Sequence, residues 1–484
     1  MFLVVDVGTS GVKAVVLGAA GELVAQSFAP LLVQRSAPLW SEQEPEAWWK
    51  ATSAAVLGLP AAVRRLGRAI GIAGQMHGAT LLDNADQPLR PAILWNDGRA
   101  FAECAELEAA VPGLRAITGN IAMPGFTAPK LLWVRHHEPA VFERIRTVLL
   151  PKDYVRLRMT GEKISDMSDA AGTLWLDVAR RDWSDAILAA CGLARAHMPQ
   201  LVEGSAFAGR ISTAVAEMWG MDPVPVAGGG SDNAAGAAGV GVVAAGDALL
   251  SLGTSGVIFV ATDRFRTNPG RAVHSFCHCL PELWHQMSVH LSAASCLDWA
   301  AKLLGVPGAA ELLSLAEQAG IAHGPELFLP YLSGERTPHN DPHVRGAFLR
   351  LDYDSEPGRL AAAVLEGVAF ALADGLDALR SSGTTVEQLS VIGGGARSLH
   401  WGRTIAASLN VPLLYLHGGD VGPAMGAARL PQLMADGGAP RDICARPPIA
   451  FEILPELALA NRLAAKAADF RAAYAGITPK RDLI

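Results

Sequence analysis

The pentapeptide Gly-Thr-Ser-Gly-Val occurs twice, at 8–12 and at 253–257, in a chain of 484 residues. The flanks match too: Leu3-Val-Val-Asp-Val before the first copy corresponds to Ala248-Leu-Leu-Ser-Leu before the second. A duplication of this span, offset by about half the chain, requires two related folding units and changes how every later motif is read. Each copy reads as strand, tight polar turn, strand, because apolar and β-branched residues flank a turn whose glycines tolerate positive φ. Such a turn aims successive backbone N–H groups and two hydroxyls at one point, which suits an anion such as phosphate. One copy alone would read as an ordinary hairpin. The copies also differ: Asp6 stands where the second has Ser251, and Lys13 where it has Ile258. A carboxylate beside only one turn suits a Mg-nucleotide held between two related domains, with the metal nearer the first.

At ~100–200 residues per domain the length allows two or three domains. The small-residue joint Val243 to Gly246 precedes the second repeat and sets the expected domains at 1–245 and 246–484. Net charge is −7, with 18% charged residues and no block of one sign, so neither a nucleic-acid nor a membrane partner is expected. The start Met-Phe-Leu-Val-Val-Asp reads as a strand and not as a secretion signal. The uncharged stretch Ala234 to Gly246 is well short of the ~20 residues that cross a bilayer. Six scattered cysteines (104, 191, 277, 279, 296 and 444) lead us to expect reduced thiols in the cytoplasm. His274-Ser-Phe-Cys-His-Cys279 resembles a metal cluster, but its cysteines are closer than the C-x2-4-C spacing of zinc sites. A buried strand is the better reading, with Ser275 and the cysteines on one face and the histidines and Phe276 on the other.

Short apolar runs alternate with helical patterns throughout, an α/β signature. Strands are expected at 69–73, 147–150, 389–392 and 411–415, and helices from Pro45 and over 361–379. Val391-Ile-Gly-Gly-Gly-Ala-Arg-Ser398 invites a dinucleotide reading, but the next strand ends without the ribose-binding acid, and the chain has no P-loop. Two readings of these glycines remain: a surface for the adenine and ribose of ATP, or close packing of helix on strand. Asp232–Gly241 and Asp420–Arg429 each place an acid before a small-residue helix, so two such helices are expected to cross at the domain interface.

In this order, the elements resemble the actin-like ATPase superfamily and, within it, the FGGY family of carbohydrate kinases. The similarity runs from residue 3 to about 430. It rests on Asp6–Lys13, Trp40-Ser-Glu-Gln43, Gly74-Gln-Met-His-Gly78, Leu94–Arg99, Gly125-Phe-Thr-Ala-Pro-Lys130, Leu150-Pro-Lys-Asp-Tyr154, Ser165–Asp169, Tyr331–Pro338 and the Gly-rich motifs. The resemblance implies two duplicated actin-like (ribonuclease H-like) α/β domains flanking a central cleft. It also implies ATP with Mg2+ and transfer of phosphate to a sugar hydroxyl. Met76-His77 resembles the members that act on D-xylulose at O5 in xylose breakdown. A neutral imidazole can donate to and accept from sugar hydroxyls, and methionine can lie against a C–H face. Kinases of ribulose, L-xylulose or another polyol remain open, as does an actin-like switch that binds ATP without transferring it. A homodimer is a family-level expectation.

By the same resemblance Asp232 is the general base and Asp6 holds Mg2+. Gly8, Thr9, Ser10 and Gly11, with Gly253, Thr254 and Ser255, cradle the phosphates. Gly394, Gly395 and Ser398 border the adenosine. Met76, His77, Asp232 and Asn233 hold the sugar, with Trp95 and Asp97 as further candidates. Asp232 also reads as the N-cap of an alanine-rich helix, whose N-terminus is expected to lower its pKa. Three positions depart from the family pattern: Ser231, Arg350 and Arg359.

Overall fold

Each copy of the repeat forms an antiparallel strand pair, and the two pairs begin sheets of matching topology. The computed structural model describes residues 1–417 and 422–477. In the first half β1 (Phe2–Val7), β2 (Gly11–Leu17), β3 (Leu23–Pro30), β4 (Ile70–Gly74), β5 (Phe207–Arg210) and β6 (Pro225–Ala227) lie in the order β5-β6-β4-β1-β2-β3. In the second, β7 (Ala248–Leu252), β8 (Gly256–Thr262), β9 (His274–Cys277), β10 (Trp284–His290), β11 (Leu389–Ile392), β12 (Leu413–Leu416) and β13 (Ile449–Ile453) lie in the order β9-β10-β8-β7-β11-β12-β13. In both sheets the repeated hairpin is antiparallel, and its first strand takes a parallel neighbour on the other side, β4 or β11. β1 is apolar along almost its whole length because both of its faces are covered.

Side chains alternate across β1. Leu3, Val5 and Val7 pack with Trp48 and Val56 of α1 (Pro45–Leu57), which begins at its proline as expected. Phe2 and Val4 pack instead with Ala235 of α2 (Asp232–Gly239) and with Ala424, Ala427 and Ala428 of α5 (Pro423–Asp436). In the second sheet Leu250, Leu252 and Ile258 face Leu372 of α3 (Pro357–Arg380) and Trp401 of α4 (Leu399–Leu409). Leu249 and Phe259, on its other face, share a core with Ala234 and Ala237 of α2 and Leu430 of α5. Helices α2 and α5 therefore form a middle layer between the sheets.

Their crossing is a backbone contact, as their composition suggested. A Cβ on Gly426 would stand 1.6 Å from the carbonyl oxygen of Ala235, and one on Gly239 2.8 Å from the Gly426 nitrogen. A Cβ on Gly71 of β4 would stand 1.8 Å from the oxygen of Ala427. Helix α5 is tied to the first half at its edges as well. Arg68 pairs with Asp436, and Arg429 Nη1 and Gln432 Nε2 donate to Ala19 O at 3.2 and 3.1 Å. The acid expected before this helix, Asp420, lies with Gly418, Gly419 and Val421 outside the described residues.

Strand β9 is buried, as expected of the Cys-His segment. Cys277 Sγ lies 3.6 Å from Val178 O and Cys279 Sγ 3.4 Å from Ala234 O, so the thiols face the first half. All six cysteines are buried and unpaired. Arg350 adopts a φ of 60°, the left-handed region that glycine enters freely, and pairs on the surface with Asp469 at 2.6 Å. Arg359 pairs with Glu326 at 2.7 Å.

If the helix crossing depends on missing side chains, Gly426→Ala should destabilise the fold by ~1–3 kcal/mol, the cost of overpacking. Gly236→Ala, in α2 with no atom within 4 Å of the new carbon, should be neutral or stabilising by up to ~1 kcal/mol. Denaturant unfolding of both variants compares them directly, and equal midpoints would contradict the contact.

Candidate functional site

A cavity of about 310 Å3 lies between the halves, walled by Met76, His77, Asp232 and Asn233 from the first and Ser255, His274, Phe276 and Arg336 from the second. All four residues assigned to the sugar thus meet in one place, together with one hydroxyl of the second Gly-Thr-Ser-Gly turn.

His77 follows β4 at a φ of 66°, a strained conformation for a side-chain-bearing residue. Thr127 Oγ1 and Lys130 Nζ hold its carbonyl oxygen at 3.1 and 2.9 Å, which explains the Gly125–Lys130 motif. Its Nδ1 lies 2.6 Å from the carbonyl oxygen of Gly172. A carbonyl only accepts, so Nδ1 carries the proton and Nε2 is left as an acceptor. Burial, with Lys130 and Arg336 nearby, pushes the imidazole down to about 3, so it is neutral. Phe126 packs edge-on at 4.8 Å. A Cβ on Gly172 would come within 2.8 Å of both the His77 ring and Met76 Cε, so this glycine leaves room for both.

Asp232 departs from expectation in two respects. The N-cap of α2 is Ser231, whose Oγ accepts from Ala234 N, and Asp232 is the first residue inside the helix. The one-residue register follows from Gly230 and Ser231 pairing with Ala73 and Gly74 of β4. Nor is the carboxyl held low: burial pushes it up to about 6, and the like charge of Asp6 adds to this against two N–H donors from Asn233. Asp6 itself is pushed up to about 6 by burial, with Lys13 opposing.

Behind this loop lies a fully buried charge cluster. Lys152 Nζ is 2.6 Å from Asp153, 2.8 Å from Asp166 and 3.4 Å from Asp169. Burial disfavours the ammonium, but the three carboxylates outweigh it and hold it charged. Burial pushes Asp169 well above the carboxylate range, against the opposing pull of Lys152. Arg156 Nη1 joins the cluster through Asp153 at 3.0 Å. Arg156 donates to Gly228 O, and Ser168 Oγ accepts from Ser231 N at 3.0 Å, so the cluster grips both ends of the Gly228–Ser231 loop. Residues of the 150–154 and 165–169 segments and their neighbour Arg156 thus hold the loop that precedes Asp232.

The first turn, Gly8 to Gly11, does not wall the cavity but is linked to it. Thr9 Oγ1 donates to Gln75 Oε1 at 2.9 Å and accepts from Trp95 Nε1 at 3.0 Å; Gln43 Nε2 donates to Thr9 O at 2.8 Å. In the second turn, Gly253 N donates to Ser255 O at 3.1 Å, and Thr254 O accepts from Ala293 N at 2.9 Å. Of the glycines assigned to adenosine, Gly395 is a packing glycine: a Cβ there would sit 2.9 Å from Leu252 and from Trp401. Gly394 has open space, and Ser398 caps α4 through Trp401 N at 3.2 Å. Trp95 walls the cavity, whereas Asp97 is taken up by Ser41 N at 2.6 Å and by Arg99 at 2.7 and 2.9 Å. Sequence reasoning missed His274, Phe276 and Arg336. They sit in two motifs it had singled out, but their role appears only when the second half folds over the first.

The N-terminal domain of the FGGY family of carbohydrate kinases matches residues 1–239, and its C-terminal domain residues 248–435. The chain is 58% identical over 438 residues to a xylulose kinase of Escherichia coli (strain K12), spanning 90% of each chain. Among solved structures it is similar to a xyloylose kinase from Brucella ovis, with 50% identity, a TM-score of 0.95 and coverage of 98% and 99% of the two chains. A xylulose kinase from Rhodospirillum rubrum superposes with a TM-score of 0.92 at 29% identity, over 98% of each chain. The duplicated α/β domains are the actin-like ATPase fold. No helix among the described residues is long and apolar enough to cross a membrane.

The His77 tautomer can be tested by nitrogen NMR of the imidazole. Between about pH 8 and 5 the ring should stay neutral, with Nδ1 protonated and Nε2 bare. A titration midpoint near the ordinary ~6.5 would contradict this environment.

Proposed function

The chain belongs to the FGGY family of carbohydrate kinases, and on that footing we propose that it transfers the γ-phosphoryl group of ATP to O5 of D-xylulose, giving D-xylulose 5-phosphate and ADP. The observation that carries this reading is the meeting of Asp232, His77 and Ser255 in one cavity. The reaction asks for a base, a grip on a polyhydroxylated acceptor and a phosphate turn within reach.

In the reading we favour, O5 attacks the γ-phosphorus, the bond to the bridging oxygen of ADP breaks, and the O5 proton passes to the Asp232 carboxylate. A base pushed up to about 6 is ionised at neutral pH yet accepts a proton more readily than an ordinary aspartate. His77 Nε2 accepts from a sugar hydroxyl, Asn233 supplies a second polar contact, and Met76, Phe126 and Phe276 give the carbon chain apolar walls. The two Gly-Thr-Ser-Gly turns cradle the phosphates, and Gly394 with Ser398 borders the adenosine. The chain is expected to act in the cytoplasm.

Asp6 fits a Mg2+ site: it is a half-buried carboxylate with Lys13 as its opposing charge and Asp232 close enough to feel its charge. Among the described residues no group of three or more potential ligands forms a protein cage. That suits Mg2+, which usually takes one or two carboxylates and keeps waters and substrate phosphates as its other ligands. When bound, it supplies charge neutralisation at the phosphates.

ADP release measured with D-xylulose, D-ribulose, L-xylulose, several polyols and no sugar tests the reaction and its acceptor together. D-Xylulose should give the highest kcat/KM; sugar-independent release alone would point to a nucleotide switch. Asp232→Asn leaves the Ser231 cap in place, so it should melt normally yet lose at least ~100-fold in turnover. For the wild type, kcat/KM should be level above about pH 6 and fall below it, as Asp232 takes up its proton. A rate unchanged down to about pH 5 would remove Asp232 from the base role.

A further inference from the structure

One cation in the cavity has no assigned task. Arg336 lies in the segment that follows β10 in space, and its backbone is clamped on both sides. Its own N–H donates to Glu335 Oε1 at 2.7 Å. On the other side Thr337 N donates to Val289 O at 3.1 Å, and Val289 N donates to Thr337 Oγ1 at 3.0 Å. The side chain walls the cavity shared by His77 and Asp232 and also an adjoining one of about 590 Å3, so it stands at the threshold between the two.

Its guanidinium makes no salt bridge among the described residues, although the nearby charge of Glu335 favours its ionised form. Glu335, the adjacent acid, accepts from Leu291 N at 3.0 Å and lies 3.3 Å from His290 Nδ1. Arg336 Nη1 instead lies 3.3 Å from His274 Nε2. A guanidinium only donates, so His274 Nε2 is the acceptor, and its Nδ1 donates to Asn120 Oδ1 at 2.9 Å. The Asn120 amide is fixed in turn by Thr118 O and Ser275 O, both at 2.8 Å. This neutral relay aims the guanidinium without neutralising it. Apart from His274 Nε2, the N–H donors of the guanidinium have no acceptor among the described residues, so the cavity suits acceptor atoms from its ligand.

Two walls of the site then have fixed and opposite hydrogen-bonding character: His77 Nε2 only accepts, and Arg336 only donates. A ketose matches both, with hydroxyls that donate and a carbonyl oxygen that only accepts. Taking the ketose kinase reading above as its premise, we propose that Arg336 is a sugar-binding residue supplied by the second half, donating to the C2 carbonyl oxygen of the acceptor. His274 and Asn120 are its positioning residues. The sugar thereby bridges the halves, with its reacting end on Asp232 and its carbonyl end on Arg336.

The test is steady-state kinetics of wild type, Arg336→Gln and Arg336→Lys with D-xylulose and with the alditol in which the carbonyl is reduced. Losing a charged hydrogen bond should raise the ketose KM of Arg336→Gln by ~10–100-fold, with a smaller change in kcat and none in the KM for ATP. Arg336→Lys should recover part of the loss. The alditol should be affected less than the ketose, so the preference for ketose over alditol shrinks. An unchanged ketose KM in Arg336→Gln, or equal rises for ketose and ATP, would overturn the proposal. Should the glutamine variant not fold, an unchanged ketose KM in Arg336→Lys would count against it in the same way. The underlying reading fails separately, if the wild type phosphorylates no ketose.

Discussion

The two halves of this protein are held together where side chains are missing. Gly426 and Gly239 let α5 lie on α2 at backbone distance, and Gly71 lets the same helix lie on β4. Protein interiors are packed too densely to absorb an extra methyl at such a contact without movement. Asp232 opens α2, so the crossing also fixes where its carboxylate stands relative to both Gly-Thr-Ser-Gly turns. The sheets themselves could tolerate much repacking; this contact cannot.

Around it, the site is tuned by burial more than by charge pairing. His77 stays neutral because it is enclosed, and Asp232 and Asp6 are pushed toward neutrality for the same reason. The exception is the cluster around Lys152, where opposite charges are gathered within the first half. Removing a single partner there would leave an uncompensated buried charge, which costs more than the pair itself contributes. Charge is thus used for rigidity behind the loop, while the groups facing the ligand remain chemically poised. The duplication has diverged along the same lines: both halves keep a Gly-Thr-Ser-Gly turn, the first adds Asp6 and Asp232, and the second brings a guanidinium to the cavity.

Much of the fold was legible because it rests on local pattern. The Gly-Thr-Ser-Gly turns, their flanking strands and the helix beginning at Pro45 follow from alternation, turn chemistry and capping preferences. The small-residue helices announced their crossing through composition. Features that depend on distant residues were less visible. Serine and aspartate are both good N-caps, and only the pairing of Ser231 with β4 decides between them. A helix N-terminus predicts a lowered carboxyl pKa, but burial and Asp6, more than two hundred residues away in sequence, reverse the sign. Asp97 looked available until Arg99 and the backbone of Ser41 were found to occupy it. His274 looked like part of a metal cluster or a plain strand, yet the fold turns it toward a cavity whose other wall lies in the first half.

Helix α5 has a consequence for the order in which the molecule can be made. It is encoded at 423–436, yet it covers the face of the first sheet formed by Phe2, Val4, Val15 and Ala73. Chains leave the ribosome N-terminus first, at ~5–20 residues per second, and domains generally fold as units as they emerge. Here the first unit must wait, with one apolar face uncovered, until nearly the whole polypeptide has been synthesised. That face is closed only when α5 packs between the two sheets, so one late helix supplies core to both halves.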